Sequence, residues 1–196
     1  MAKKINNITL VGDYYQHSVS GQNNSGKPFK NGKNEVSYDE FLENLKKEKF
    51  DVDHTSFDSS RRCPEAVCNF VYEKLKINII AKNAHQGKIY WIEADEIETI
   101  LDDNKIMKLV WMDANKYSFN ALNWSYSKGD TFENACVILT DTFVELDLDT
   151  FNISKISQIT RNKLYVALTR TKGNLYLVKK KVFDGVKEKY KLGIGN

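Results

Sequence analysis

The chain has little proline, few cysteines and no strong charge of one sign. Its 196 residues include 2 prolines and 10 glycines, a composition without a low-complexity linker. The 3 cysteines are an odd number, and no apolar segment stands near residue 1 to export the chain. These absences argue against a disulfide scaffold and predict a cytoplasmic protein. No apolar run approaches the length of a membrane span, so we expect no membrane partner.

The charge balance excludes a strong global attraction to nucleic acid. The 29 basic residues nearly balance the 26 acidic ones, for a formal net charge of +3. Any contact with nucleic acid must therefore be local. Lysines cluster in segments 27–33 and 179–181, where they are usually solvated surface and alternatively contact phosphates. Cys63 and Cys68 have no second pair of the spacing that zinc requires, so we expect no metal site.

Strand and helix patterns alternate through the second half of the chain. Near-continuous apolar strands separated by helices are typical of a parallel sheet covered on both faces. Predicted strands are 8–11, 88–92, 106–111, 119–124, 135–140 and 175–178, with an extended segment at 52–57. Predicted helices are 38–47, 64–75, 95–101, 156–168 and 182–190, and 18–33 is a long polar loop.

Arg170 lies between the predicted helix 156–168 and the apolar strand 175–178. A fixed cation at this point could meet the terminal phosphate of a nucleotide held by another domain. The alternative is structural: the neighbouring apolar residues are core, and Arg170 is a cation favoured by the dipole at a helix C-terminus.

Asp13 and Gln16 follow the predicted strand 8–11, at the end of a strand where α/β folds bind ligands. A plain Gly-Asp turn explains the same residues equally well. The nearby aromatic rings that could stack on bases are Tyr14, Tyr15 and His17.

Two further patches carry residues suited to phosphates. Arg61 and Arg62 precede the predicted helix 64–75, and a guanidinium can bind phosphate through paired hydrogen bonds. Surface ion pairs are the alternative role. Between strands 119–124 and 135–140, Gly129 permits a positive φ and a close approach of the backbone to a ligand. A simple connection between strands is the alternative there.

In order along the chain, these patches resemble motifs III, IV, V and VI of the superfamily 1 helicases of the UvrD/Rep type. Gly-Asp-Tyr-Tyr-Gln at 12–16 is similar to motif III, and Arg-Arg-Cys at 61–63 to motif IV. Lys-Gly-Asp-Thr-Phe at 128–132 is similar to motif V, and 162–172 to motif VI. Too few residues separate motifs IV and V for the large helical insertion of Rep and UvrD. The resemblance implies a compact relative.

The resemblance implies a RecA-like fold of the P-loop NTPase type, a three-layer α/β sandwich with a mainly parallel sheet. Residues 1–58 would be the tail of a first RecA-like domain, and residues 59–196 a second one. ATP and Mg²⁺ are the implied cofactors, and single-stranded DNA the implied partner. We therefore expect Arg62, Gly129 and Arg170 to converge on one rim of a single sheet.

The resemblance also assigns roles to individual residues. Contacts to the γ-phosphate fall to Arg170 as the arginine finger, to Arg62 and to Gln16. Nucleotide binding falls to Asp13, Lys128, Gly129 and Thr131, and nucleic-acid contacts to Tyr14, Tyr15, His17 and Ser127. Two departures affect these roles, because Thr131 stands where many members carry Glu and Arg61 replaces the usual aromatic residue.

The family's phosphate-cradling loop and its Asp-Glu pair, which precede motif III, are missing from the sequence. Segment 21–27 has the Gly-x-x-x-x-Gly-Lys spacing, but Pro28 occupies the Ser/Thr position that would bind magnesium. We expect the missing motifs on an N-terminal RecA-like domain or a partner ATPase subunit, and the chain alone to be inactive. A fragment, or a naturally split protein, explains this. Alternatives are a non-catalytic, degenerate helicase-like module that binds a partner ATPase or DNA, and an unrelated α/β domain.

Overall fold

A five-stranded parallel sheet forms the centre of the computed structural model, which describes residues 9, 11–16, 37–53, 59–82 and 85–192. The strands of the chain are β1 (Ser59–Ser60), β2 (Ile80–Ala81), β3 (Ile89–Ile92), β4 (Ile106–Val110), β5 (Ala121–Asn123), β6 (Asn134–Ile138) and β7 (Leu175–Val178). The helices are α1 (Tyr38–Lys47), α2 (Glu65–Leu75), α3 (Ile97–Asp102), α4 (Gln158–Leu168), α5 (Lys180–Asp184) and α6 (Lys187–Tyr190).

The strand order in the main sheet is β3-β7-β6-β4-β5, and all its pairings are parallel. Ala135 of β6 lies opposite Leu175 of β7 and Met107 of β4, so β6 is central. The predicted α/β class and parallel sheet are confirmed. Strands β1 and β2 form a separate parallel pair. Each is only two residues long, which is too short to give a periodic pattern in the sequence.

Apolar side chains cover both faces of the sheet. Along β4, Leu109 packs in the core that includes α2 and α4, whereas Ile106 and Val110 pack in the core that includes α3 and α5. This alternation follows from the two-residue period of a strand. Each fully buried aliphatic side chain contributes roughly 1.5–3 kcal/mol, so the two cores hold the three layers together.

Local sequence explains where the main helices begin. Ser37 and Glu40 form a reciprocal capping box at the start of α1. The Ser157 hydroxyl accepts from the Thr160 amide at the start of α4, and Thr169 is the C-cap. The segments that lead into β6 and β7 approach each other closely. A Cβ on Gly173 would collide with the Glu133 carbonyl oxygen, so this glycine permits the approach of β7 to β6.

Three elements differ from the sequence prediction. Strand 119–124 shrinks to β5 and continues as a 3₁₀ turn, Trp124–Ser127, because the buried Trp124 indole turns inward to donate to the Leu109 carbonyl oxygen at 3.0 Å. The helix predicted at 182–190 is two short helices, α5 and α6, with Gly185 as the C-cap of α5. Thr9 and Val11, within the predicted strand 8–11, have no strand structure. The rest of that strand, loop 18–33 and most of 52–57 lie outside the described residues.

Candidate functional site

The segments around Gly129 and Arg170 meet at the edge of the sheet where the strands begin. Phe132 and Thr171 form a parallel bridge just before β6 and β7. The Phe132 amide donates to the Arg170 carbonyl oxygen at 2.8 Å, and the Lys172 amide donates to the Phe132 carbonyl oxygen at 3.0 Å. The backbone therefore joins the glycine turn directly to the residue predicted as the arginine finger.

The glycine turn is an exposed loop. Gly129 has φ +95°, which a non-glycine residue rarely adopts, so the permissive conformation predicted there is present. Lys128, Gly129 and Thr131 are all exposed. Ser127 differs: it is buried and its hydroxyl donates to the Trp124 carbonyl oxygen at 2.8 Å, so it shapes the turn from inside.

Arg62 and Arg170 meet at a single residue, Thr169. Arg62 Nη1 donates to the Thr169 carbonyl oxygen at 3.0 Å. Arg170 Nη2 donates to the Thr169 hydroxyl oxygen at 2.9 Å. The C-terminus of α4 thus brings together two guanidiniums that come from opposite ends of the described sheet domain.

The Arg170 guanidinium is buried, and two of its three nitrogen atoms have no hydrogen-bond acceptor among the described residues. The residue is 1% exposed, and its Nε and Nη1 have no hydrogen-bond partner among the described residues. Over the same residues, neither Arg170 nor Arg62 forms an ion pair with a carboxylate. Burial, with the charge of Arg62 as the next cause, lowers the pKa of Arg170 to about 10. The site is a concentrated positive charge with spare donors.

Asp13 and Gln16 lie beside this charge. Asp13 Oδ2 accepts from Gln16 Nε2 at 2.7 Å and from the Tyr165 hydroxyl at 3.2 Å. The Asp13 charge also acts on Arg170, whose pKa it raises slightly against the larger effects of burial and Arg62. Residues from motifs III, IV and VI, as the resemblance numbers them, therefore gather in one place.

The aromatic residues next to Asp13 pack within the protein. Tyr14 and Tyr15 contact each other and Tyr38 of α1. Tyr15 also lies edge-on to Tyr165, with the Arg161 guanidinium 5.5 Å from its ring centre. Both tyrosines are half-buried. His17, the third aromatic residue predicted to contact nucleic acid, lies outside the described residues.

Cys63 is a neighbour of the arginines that the sequence analysis did not single out for the site. Its thiol donates to the Thr169 carbonyl oxygen at 3.5 Å, the same atom that Arg62 contacts. A hydrogen bond from Cys68, with further help from Ser60, Arg62 and Arg170, lowers the pKa of Cys63 to about 7 against the opposing effect of burial. The Cys63 thiol is therefore more acidic than an ordinary cysteine.

Tyr165 and Thr169 also had no assigned role. Their four-residue spacing indicates only that both lie on one face at the end of α4, where Thr169 is the C-cap and Arg170 follows. What the spacing lacks is any indication that the same face receives Arg62 and Asp13.

The open concavities lie beside the arginine site. One of about 680 Å³ includes Tyr15, Arg161 and the first residues of α1 and α4. Another of about 700 Å³ lies between α2 and the segments 78–81 and 85–87. Within the described ranges no group of three His, Cys, Asp or Glu side chains could hold a metal ion. In the same part of the chain, no helix is long and apolar enough to cross a membrane.

Comparison with known proteins gives similarity to solved structures alone. No family model and no curated protein matches the chain. The crystal structure of the arterivirus nonstructural protein 10, a helicase, is similar with 18% sequence identity and a TM-score of 0.42. The match covers 68% of this chain and 27% of the viral protein, so the chain spans about a quarter of that helicase's length. Similarity at this level establishes neither a shared family nor a shared activity.

Proposed function

We propose that residues 59–196 are the second RecA-like motor domain of an ATP-dependent DNA helicase or translocase, and that residues 1–58 are the tail of the first. The observation that carries this proposal is the pair of arginines at the end of α4. Two guanidiniums share one residue, and the buried one keeps two donor atoms without partners. Buried cations and donors are costly unless paired, and an anion would satisfy both.

The terminal phosphate of ATP fits this pair chemically. A guanidinium presents its N–H groups in a planar fork that matches phosphate oxygens and stays charged at neutral pH. Arg170 and Arg62 would stabilise the charge that spreads over the transferred phosphoryl group. When bound, ATP with Mg²⁺ supplies the reacting phosphate. The described residues of this chain offer no acidic cluster for the ion, so its ligands belong to the proposed partner domain.

Access to Arg170 requires a local rearrangement, because the residue is only 1% exposed. The Asp13 carboxylate, which accepts from the Tyr165 hydroxyl, is an anion whose charge acts on Arg170. On phosphate binding, Gln16 Nε2 would exchange the Asp13 oxygen for a phosphate oxygen. This exchange would link the γ-phosphate to the aromatic residues Tyr14 and Tyr15.

The exposed glycine turn is the proposed contact with single-stranded DNA. Lys128 can neutralise a backbone phosphate, and the bare backbone at Gly129 permits close approach. The hydrogen bonds between Phe132 and residues 170 and 172 connect this turn to the arginine site. Closure of the nucleotide cleft would therefore move the glycine turn that contacts the DNA.

ATP hydrolysis by the chain combined with a domain that carries the Walker motifs tests the proposal. Arg170→Ala should lower DNA-stimulated turnover by about 10³-fold to 10⁵-fold. Arg61→Ala removes the same charge from an exposed neighbouring position and should change turnover less than about twofold. Equal rates for wild type and Arg170→Ala would refute the arginine-finger assignment.

The isolated chain should hydrolyse ATP negligibly, because it has arginines but no phosphate-cradling loop. Robust magnesium-dependent hydrolysis by the pure chain, lost in Lys27→Ala, would show that segment 21–27 is a functional phosphate loop after all.

The 1% exposure of Arg170 favours one other candidate function. In a non-catalytic, helicase-like module that binds a partner ATPase or DNA, the arginine could remain covered. The module would lose nothing in Arg170→Ala, so the same hydrolysis measurement separates the two functions.

A further inference from the structure

We infer that Thr169 is the residue that positions both arginines of the proposed phosphate site. The inference rests on the proposed function and assigns a part of the site to a residue that touches the two guanidiniums rather than the phosphate. Thr169 is 3% exposed and is the C-cap residue of α4.

Each polar group of Thr169 has a separate task. Its hydroxyl donates to the Tyr165 carbonyl oxygen at 2.8 Å, which leaves a lone pair for Arg170 Nη2 at 2.9 Å. Its own carbonyl, one of the unpaired acceptors at a helix C-terminus, accepts from Arg62 Nη1 at 3.0 Å. One residue therefore fixes one N–H of each guanidinium.

The oxygen atoms of Thr169 reduce the electrostatic repulsion between the guanidiniums of Arg62 and Arg170. Like charges repel, and the charge of Arg62 is among the causes that lower the pKa of Arg170. Oxygen atoms with partial negative charge at the helix end oppose that repulsion. With one edge of each guanidinium held, Arg170 Nε and Nη1 remain available for an incoming anion.

The hydroxyl is needed for Arg170 alone, because Arg62 uses the backbone carbonyl. Thr169→Val keeps the shape and the carbonyl but removes the acceptor for Arg170. Thr169→Ser keeps the hydroxyl. The inference therefore predicts that the Val variant loses the contribution of Arg170 and retains that of Arg62.

The test measures the binding of inorganic tripolyphosphate to the full chain by NMR titration. Thr169→Val should weaken binding by about tenfold, and Thr169→Ser should restore it to within about twofold of wild type. In the Arg170→Ala background Thr169→Val should have no further effect, whereas with Arg62→Ala the two losses should add. Thermal unfolding of each variant identifies those that are folded, and only folded protein is titrated.

The outcomes separate the inference from the proposed function. No binding by wild type overturns this assignment alone, because the proposed function places the phosphate-cradling loop on the partner domain and is tested by the hydrolysis measurement. Binding by wild type that Thr169→Val leaves unchanged overturns the assignment alone. The assignment is also overturned if Thr169→Ser binds as weakly as Thr169→Val, or if Thr169→Val still weakens binding in the Arg170→Ala background. Either result shows that the substitution acts on the structure as a whole.

Discussion

Arg170 and Lys108 are two buried cations on opposite sides of the sheet, with different surroundings. Both are at most 1% exposed. Lys108 of β4 projects to the side that includes α3, and its Nζ donates to the Asp103 carbonyl oxygen at 2.6 Å. The charges of Asp102 and Asp103 also favour its protonated form, although burial lowers its pKa. Arg170 has a second cation beside it and two unpaired donor atoms.

Each cation also has a buried cysteine as its neighbour, and the two thiols behave differently. Cys136 lies opposite Lys108 in the register of β6 and β4, and burial raises its pKa to about 12. Near Arg170, hydrogen bonds and two guanidiniums lower the pKa of Cys63 to about 7. The Lys108 ammonium has a hydrogen-bond acceptor and acidic neighbours, whereas the Arg170 guanidinium keeps two donor atoms without partners. Burial alone does not distinguish a structural cation from one that is available for a ligand.

Truncation of the two cations should separate them by stability. Lys108→Ala should lower the free energy of unfolding by about 2–4 kcal/mol, because it removes a packed stem and a satisfied hydrogen bond. Arg170→Ala should stay within about 1 kcal/mol of wild type, because relief of a poorly paired charge offsets the lost packing. Urea unfolding at pH 7 measures both. If Arg170→Ala costs as much as Lys108→Ala, Arg170 is structural.

The two thiols should give stability changes of opposite sign as pH rises. The folded-state pKa of Cys63 is lowered, so its contribution is fully present above its ordinary value of about 8.5 and is lost as pH falls through about 7. The gap in unfolding free energy between wild type and Cys63→Ala should therefore be larger at pH 9 than at pH 6, by on the order of 2 kcal/mol.

Cys136→Ala is the matched control for that measurement. Its pKa is raised, so the thiol ionises first in the unfolded state and the corresponding gap should shrink slightly above pH 8.5, by less than about 1 kcal/mol. A gap for Cys63→Ala that is flat between pH 6 and 9 would contradict an anion-favouring site beside the arginines.

The smallest expected effect concerns the Asp13 carboxylate, whose charge acts on Arg170. Asp13→Asn should tighten tripolyphosphate binding by about threefold, because it removes a negative charge close to the proposed phosphate site. Glu73→Gln removes the same charge from the exposed side of α2 and serves as the control. NMR titration measures both variants. Weaker binding in Asp13→Asn would show that Asp13 helps to hold the anion.

Much of the architecture could be read from local pattern. The apolar run 135–140 predicted strand β6, and the periodicity behind Ser37 predicted the start of helix α1, since these signals act within a few residues. Pattern failed where distant contacts decided the outcome. Trp124 ends its strand because its indole finds an acceptor on β4, and the sequence near Trp124 does not reveal that acceptor.

The candidate site divides in the same way. Arg62 and Arg170 could be selected from the sequence, because they stand in patches that follow the order of helicase motifs III to VI, although each arginine alone is ordinary at a helix end. Thr169, Tyr165 and Cys63 could not, because small or apolar-looking residues beside a helix are ordinary in isolation. Their relevance appears only when α2 and α4 are packed against each other.

By itself the sequence determined the α/β class, the order of the four patches and the position of each arginine at the end of an element, because these depend on short-range periodicity and helix termini. Tertiary structure alone decided that Arg62 meets Thr169 across 107 residues of chain, that Arg170 is buried and that the Lys108 ammonium finds a backbone acceptor. The reason is physical: the free energy of a buried charge is set by the groups packed around it, and those groups come from distant parts of the chain.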